Sequence, residues 1–528
     1  MRLRSASTSI ESPGAVSGTG PSFTASLYRV VEHALDKPFG ARANPLKQLG
    51  AIGFLLLWLL VASGVPLYIM FDTAAEGAYR SIESLDLLPW RLGSILRGLH
   101  RYATDAFVCV MGLHILREWM LGRFRHFRKW LWITGVPLVV LAFISAVGGF
   151  WLNWDRLGQY SAQTTAEWID ALPLLAMPLA RNFLYPASLG DRLFTLFIFI
   201  HIGASLFLIF GLWFHIQRIS RARVLPEWSL AACLSCTLIL LCLVLPVHGQ
   251  GPADLQIAPA ALALDWWILF IHPLTVATSP AIAWGLVLCT LGLLLLLPFL
   301  PTRLRSPVAV VNPDNCSGCA RCFDDCPYSA ITMVPHPDRL DGLHLARVDA
   351  AACASCGICT GACPSSTPFR HDTILETGID MPQAPIDSLR RQLRQGLEEM
   401  QDSRRLVVFS CNKGATLLSP ATDILHFELI CAGMLPPAFV EFAIRAGADG
   451  VLVSGCREGG CVFRLGQQWM AGRLVGMREP HLRSSVAQDR WLSVWADPGD
   501  EATLQDAIDV LRRRCDARIP VIAKEMMQ

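Results

Sequence analysis

The chain has 528 residues, a length that suggests about three or four domains, and its apolar residues (53% of the whole) are concentrated in roughly the first 300 positions. With 45 Lys and Arg against 43 Asp and Glu, the net charge of +2 decides nothing about partners, since the positive residues serve the chain's topology, and nothing in the sequence resembles a nucleic-acid reader. Eighteen cysteines, most of them beyond residue 300, raise the question of metal ligation or disulfides.

From Met1 to about Ala25 the chain is rich in Ser, Thr and Gly, carries Arg2 and Arg4, and lacks the apolar core of a secretory signal, so residues 1–40 read as a disordered or amphipathic tail. Six apolar stretches follow that can span a bilayer, near 48–71, 94–120, 130–152, 190–217, 227–247 and 280–300. Lys and Arg gather at the ends that an even count brings together: Arg42 and Lys47, Arg117 to Lys129, Arg218 to Arg223, and Arg303 with Arg305. By the positive-inside rule those ends, and both termini, face the cytoplasm. The opposite loops are poorer in cations and carry Asp72, Glu76, Glu83, Asp86, Glu167, Asp170 and Asp254.

Two pairs of histidines lie on these stretches, His100 with His114 and His201 with His215, each pair 14 positions apart. On a helix, 14 steps climb roughly 21 Å and return to within about 40° of the starting direction. Two such helices side by side would face two His/His gaps across one interior, a site for two bis-histidine haems stacked along the membrane normal. Gly50 and Gly64 on one neighbouring stretch, and Gly135 and Gly149 on another, share the spacing of 14. Glycines at those heights would leave room for a porphyrin edge. A lone membrane histidine is commonly just a satisfied polar side chain; the shared spacing of all eight residues argues for the haem reading.

Past residue 303 the cysteines become the informative residues. In a cytoplasmic region they argue for metal ligation over disulfides. The runs Cys316-x2-Cys319-x2-Cys322-x3-Cys326-Pro327 and Cys353-x2-Cys356-x2-Cys359-x3-Cys363-Pro364 repeat the bacterial ferredoxin pattern, in which the fourth ligand of each 4Fe-4S cluster comes from the other run. Cys316, Cys319, Cys322 and Cys363 would hold one cluster, and Cys353, Cys356, Cys359 and Cys326 the second; zinc is the alternative. A linker helix is expected at about 386–401. Strands then read at Arg405 to Ser410, Ile424 to Ile430 and Gly450 to Ser454, with a helix at Ala438 to Ala446, which gives an α/β domain. Cys411, Cys431, Cys456 and Cys461 fall at strand ends or in loops, where such folds place ligands. Four thiolates converging there would suit a 2Fe-2S cluster, with a structural zinc site or buried thiols as alternatives.

Cys109, Cys233, Cys236, Cys242 and Cys289 lie within the spans, where free cysteine serves as a small apolar residue. The pair Cys233-x2-Cys236 has redox-motif spacing but a lipid-facing place. Cys515 follows Arg512 to Arg514, and no neighbour identifies a reaction for it.

Residues 45–300 resemble the cytochrome b of quinol-oxidising bc-type complexes, most of all the chloroplast and cyanobacterial branch, with the last two spans similar to that branch's separate small subunit. The resemblance rests on Arg97-x2-His100-Arg101, His114-x2-Arg117, Trp132-x2-Gly135, Gly149 through Trp154-Asp155, and His201 and His215. It implies that His100 with His201 hold the outer haem and His114 with His215 the cytoplasmic one, and that Arg97 and Arg117 neutralise haem propionates. The family's Pro-Glu-Trp-Tyr stretch, whose Glu takes a proton from quinol, has two counterparts here. Pro226-Glu227-Trp228 lies on the cytoplasmic side, the wrong compartment. Leu264-Asp265-Trp266-Trp267, after Pro252-Ala253-Asp254, is the counterpart by position, with Asp for Glu, no Pro and Trp for Tyr, which makes Asp265 the candidate base of an outer quinone site. Asn153 replaces a family proline, and the first span has no cysteine for the extra c-type haem, so two haems b are expected.

Residues 308–370 resemble the double-cluster ferredoxins. Residues 404–476 are similar to the D or delta iron-sulfur subunit that links hydrogenases or formate dehydrogenases to heterodisulfide reductase, on Cys411, Cys431 before Pro436-Pro437, Gly447 through Val453, and Gly455-Cys456-x4-Cys461. Lys413 and Gly414 stand where that family usually has a further cysteine.

The chain therefore reads as multidomain: a tail at 1–40, an all-α six-helix transmembrane cytochrome b bundle at 41–303, a ferredoxin-like domain with two 4Fe-4S clusters at 308–370, a linker helix at 371–403, and an α/β domain with a 2Fe-2S site at 404–528. It is expected in the cytoplasmic membrane of a prokaryote, with the iron-sulfur domains inside. It would pass electrons between quinone and a soluble flavoprotein or a hydrogenase-, formate dehydrogenase- or heterodisulfide reductase-like complex, as a monomer or a homodimer. The alternatives are a membrane anchor and electron conduit without a quinone site, and a redox sensor or scaffold.

Overall fold

The computed structural model describes residues 23–172, 177–183, 190–217, 219–256, 261–300, 307–337, 343–370, 373–402, 404–417 and 421–525. The expectations for residues 1–22 and for Arg218, Arg303 and Arg305 lie outside them. The chain divides into two compact units, Glu32–Arg303 and Met1–Val31 with Leu304–Gln528.

From Phe23 onward the tail region is helical (α1, Phe23–Ala43). The bundle is then built from α2 (Leu49–Met70), α3 (Ala78–Ser84), α4 (Leu92–Met120), α5 (Lys129–Asn153), α6 (Arg156–Asp170), α7 (Asp191–Ile216), α8 (Trp228–Val244), α9 (Ile271–Ala277) and α10 (Pro280–Leu296). Among the described residues, four helices are long and apolar enough to cross a membrane: Leu49–Met70, Lys129–Asn153, Asp191–Ile216 and Pro280–Phe299. The other two expected spans differ for separate reasons. Helix α4 runs 29 residues but carries Arg97, Arg101, Asp105, Arg117 and Glu118, and α8 stops after 17 residues, about 25 Å of rise.

The two principal helix pairs are α2 with α4 and α5 with α7. Between them lies a core of Ile52, Leu56, Ala103, Phe107, Leu138, Ala142 and Leu208. The outward faces are apolar as well. On α7, Phe199, Leu206, Phe207 and Phe210 are 61–73% exposed, an arrangement suited to lipid and unsuited to water. At one end of the bundle, Trp151, Trp154, Phe194 and Phe197 form an aromatic cluster. Asp155 caps α6 there, accepting from Gly158 N at 2.8 Å. Its second oxygen accepts from Gln250 N at 2.9 Å, which ties the loop before α9 to the start of α6.

The second unit holds two small antiparallel pairs and one parallel sheet. Strand β1 (Val310–Val311) pairs with β4 (Ile379–Asp380), and β2 (Ile331–Pro335) with β3 (His344–Val348). The five-residue helices α11 (Arg321–Asp325) and α12 (Ile358–Ala362) each lie inside one cysteine run. The parallel sheet has the order β6-β5-β7-β8, with β5 Leu406–Cys411, β6 Ile424–Leu429, β7 Gly450–Gly455 and β8 Trp491–Trp495. Strands β5 and β7 are buried along their whole length, as the central strands of a parallel sheet covered on both faces must be. Helix α13 (Ile386–Glu399), expected as a linker, buries Leu389, Leu393 and Leu397 in the same core as Phe409, Phe427 and Phe439. Helix α14 (Ala438–Arg445) joins it there, α15 (Gly466–Leu474) follows the last cysteine of the domain, and α16 (Glu501–Glu525) packs on β7 and β8.

Candidate functional site

Each of the four histidines lies against one of the four glycines. A methyl group built on Gly64 would stand 3.0 Å from Cε1 of His100, on Gly149 3.2 Å from His201, on Gly135 3.4 Å from His215 and on Gly50 3.7 Å from His114. Within each pair, α2 against α4 and α5 against α7, the later histidine meets the earlier glycine. The helices therefore run antiparallel with equal rise, and this is why both residue types share one spacing. A methyl at any of the four positions would meet the imidazole beside it, so the glycines let the histidine rings lie close to the neighbouring helix.

Across the bundle, the rings of His100 and His201 lie edge to face, with centroids 6.2 Å and planes 64° apart. An iron held about 2 Å from one nitrogen of each ring would put their centroids about 6 Å apart, so His100 and His201 are spaced as residues that would hold a haem iron between them. His215 and His114 are likewise electrostatic neighbours. In three of the four histidines Nδ1 has a partner: His100 Nδ1 lies 3.1 Å from Ser63 Oγ, His215 Nδ1 2.9 Å from Thr134 Oγ1, and His201 Nδ1 2.7 Å from the Ser145 carbonyl. Such partners fix ring orientation and leave Nε2 for a metal. Sequence reasoning missed them, although Ser63-Gly64 and Thr134-Gly135 put a hydroxyl beside the glycine in both cases.

Both arginines matched to propionate binding are buried and paired. Arg97 donates to Glu83 Oε1 at 2.9 Å and to Asn153 Oδ1 at 3.3 Å. Arg117 donates to Glu32 Oε1 at 3.0 Å and to Glu118 Oε1 at 3.2 Å. Asp265 sits where a loop turns toward α9. One of its oxygens accepts from Trp267 N at 2.9 Å and Ile268 N at 3.0 Å, and the other pairs with Arg101, which also holds Asp105. Beside it, Trp266, Trp267 and Phe270 with Val108, Met111 and Phe143 border an apolar cleft of about 330 Å³.

The ferredoxin-type cysteines lie in two neighbouring groups. The neighbours of Cys322 are Cys363, Cys319 and Cys316; burial first, then these thiols, push it up to about 12. Cys326, Cys353, Cys356 and Cys359 instead line a common small cavity of about 20 Å³. Cys359 also lies within electrostatic reach of Cys322, and Cys356 within reach of Cys461. Four thiols held in so little water are unfavourable as anions on their own, and a bound cation set offsets that penalty.

At the ends of the parallel strands, Cys411, Cys431, Cys456 and Cys461 form a ring in which each thiol contacts two others. Cys431 and Cys456 sit on either side of both Cys411 and Cys461, so shared protons hold Cys411 and Cys461 below the ordinary thiol range and Cys431 and Cys456 above it. Gly466 closes the ring from one side, since a methyl there would strike Cys431 Sγ. The donor set is four sulfurs, which suits iron or zinc. Cys515 is buried under β7, with Sγ 3.0 Å from where a side chain on Gly450 would begin.

Three family models match, one in each part. Residues 35–223 match cytochrome b/b6/petB, residues 315–367 the 4Fe-4S dicluster domain, and residues 411–516 the delta subunit of methyl-viologen-reducing hydrogenase. The cytochrome b match ends before α8, so the last two apolar helices lie outside it. The delta-subunit match runs beyond the residues that carried the resemblance and takes in β8 and the first part of α16. Among solved structures, the chain is similar to one described as hyperthermophilic respiratory Complex III, at 17% identity over 48% of this chain and 75% of that one, with a TM-score of 0.40. A cytochrome b part and a dicluster part in one chain make it a membrane electron-transfer protein, with haem b and 4Fe-4S clusters as the groups those parts hold.

Proposed function

We propose that the protein passes electrons between a cytoplasmic redox partner and the quinone pool, through a 2Fe-2S cluster, two 4Fe-4S clusters and two b haems. The observation that carries this reading is the fourfold match of glycine to histidine together with the 6.2 Å separation of His100 and His201. The bound groups supply one-electron transfer; the residues of the chain hold, orient and insulate them. His100 with His201 would hold the outer haem and His114 with His215 the inner one, with Ser63, Thr134 and Ser145 fixing the rings. Cys316, Cys319, Cys322 and Cys363 would hold one 4Fe-4S cluster and Cys326, Cys353, Cys356 and Cys359 the other. Cys411, Cys431, Cys456 and Cys461 would hold the 2Fe-2S cluster. The proximity of Cys461 to Cys356 and of Cys359 to Cys322 supports that order along the relay.

The cation-rich ends of the helices support a cytoplasmic position for both termini in a prokaryotic membrane. The delta-type part supports docking to a soluble hydrogenase-, formate dehydrogenase- or heterodisulfide reductase-like complex, or to a flavoprotein. A full transmembrane potential acts on each electron with about 2.3 kcal/mol per 100 mV, which gives the outer haem a role if transfer across the bilayer is coupled to it. Purified protein should reduce a quinone analogue when a reduced dye feeds the iron-sulfur part, with both haems cycling. Clusters that reduce while the haems stay oxidised would defeat the proposal. A second reading, an anchor and conduit with no quinone site of its own, is favoured by the capping and ion-pair role of Asp265. In that case dye electrons would reach both haems and quinone would leave them reduced.

A further inference from the structure

Arg473, on α15, is fully buried. Its Nη1 donates to the Gly433 carbonyl at 2.8 Å, its Nη2 donates to Asp325 Oδ2 at 2.5 Å, and Nη2 also lies 3.5 Å from the Ile358 carbonyl. Those three partners belong to three different cysteine-bearing segments. Asp325 immediately precedes Cys326 and follows Cys322, Ile358 immediately precedes Cys359, and Gly433 follows Cys431 by two residues. Around this centre the backbones are in close contact: a methyl on Gly361 would lie 2.3 Å from the Gly433 carbonyl oxygen, and one on Gly357 2.8 Å from Met434 Cγ. Asp325 is completed from outside by Arg478, whose guanidinium lies 3.6 Å over the Trp469 ring, and by Trp469 Nε1, which donates to the Asp325 carbonyl at 3.1 Å.

A buried ion pair of this kind is a poor stabiliser, since apolar residues of the same volume commonly hold a core as well or better. The pair does supply two things an apolar core cannot. The planar fork fixes three segments at set angles, and two arginines against one carboxylate leave a positive charge among three sites that grow more negative when reduced.

We propose that Arg473 is a positioning residue for electron transfer between the site of Cys411, Cys431, Cys456 and Cys461 and the two ferredoxin-type sites: it fixes their separations, and its charge raises their reduction potentials. The inference rests on the relay reading above. In the step concerned, one electron leaves the site at Cys431, which is oxidised, and enters the site at Cys356 and Cys359, which is reduced; the electron comes from the soluble redox partner, and no bond or proton is exchanged.

The test uses the full chain in detergent with Arg473→Lys, Arg473→Met, and Arg473→Met combined with Asp325→Asn. The combination removes the buried carboxylate that the single change leaves less well paired. Iron per chain and the reduction potential of each cluster are measured by redox titration followed by electron paramagnetic resonance. Arg473→Lys, which keeps the charge, should hold each oxidised-to-reduced ratio within about twofold of the native chain at a given potential. Arg473→Met should keep its iron and shift that ratio tenfold or more toward oxidised for the sites at Cys431 and Cys359, about 59 mV for one electron, whereas the double variant, which loses one charge of each sign and keeps Arg478, should return the ratio to within about twofold of the native chain. Native potentials in an iron-replete single Met variant overturn the proposal, and so does loss of iron in all three variants, which would leave Arg473 a structural role alone. Failure of the relay reading is distinguishable, because it would appear in the native chain as a missing cluster signal before any substitution.

Discussion

Replacing Gly64 with Ala should loosen the outer haem, whereas the same change at Gly50 should leave both haems in place. The difference follows from two distances. A methyl on Gly64 would meet His100 Cε1 at 3.0 Å, and one on Gly50 would meet His114 Cε1 at 3.7 Å. Carbon atoms pack best about 3.5 to 4.0 Å apart, so the Gly50 variant gains an ordinary contact and the Gly64 variant must push His100 by roughly 0.5 Å or more. His100 has little room to give, because Ser63 holds its Nδ1 at 3.1 Å and His201 faces it across the pair. Overpacking of this size costs about 1 to 3 kcal/mol, and at about 1.4 kcal/mol per decade that weakens haem retention by roughly fivefold to a hundredfold. Gly149→Ala, at 3.2 Å from His201, should act on the same haem nearly as strongly. Haem per chain and the low-spin signals of the purified variants measure the effect. If Gly50→Ala loses haem and Gly64→Ala keeps it, the matching of glycines to imidazoles has been misread.

His114→Ala should remove the inner haem and stop electron flow from the clusters while leaving much of the fold; two intact low-spin signals in that variant would contradict the ligand pairing. The native chain should carry about eight irons in 4Fe-4S clusters and two in a 2Fe-2S cluster. Cys456→Ser should abolish the 2Fe-2S signal alone, and zinc at that site in the native chain would end the assignment. Cys363→Ser should disturb the signal shared with Cys316, Cys319 and Cys322 and spare the one shared by Cys326 and Cys353, which spectra of the reduced protein can separate.

Those parts of the site that depend on regular repetition were legible in the sequence. Helical rise turns a spacing of 14 into a height, so the histidines and glycines could be grouped from their numbers alone, and the ferredoxin runs carry their interleaving in their cysteine spacing. Strands β5, β6 and β7 were legible as apolar runs bounded by turns. Strand β8 was not, because every residue of Trp491–Trp495 is half-buried and shows no alternation. Charge partners were the least legible. Glu32 meets Arg117 from 85 positions away and Asp325 meets Arg473 from 148, and no local pattern marks either pair. The role of Asp265 was legible only as a position: its residue type and place in the loop suggested a base, and only the geometry joined it to Arg101.

That pairing bears on the side at which quinone reacts. A carboxylate that accepts from Trp267 N and Ile268 N and also pairs with Arg101 has both oxygens engaged by groups that must be released before it can take a proton. Asparagine would keep the two backbone contacts and lose only the ion pair. If the cytoplasmic iron-sulfur part drives quinone reduction near the inner haem, Asp265→Asn should retain most of the activity, with the loop weakened by about 1 kcal/mol. If Asp265 instead accepts the proton of an outer quinol, the same change should lower turnover about 10²-fold or more at unchanged haem content. The apolar cleft beside Trp266 and Phe270 is compatible with an outer quinone, so the two cases differ in chemistry and not in space. The ion pair favours the inner site, and a hundredfold loss on replacing Asp265 would reverse that choice.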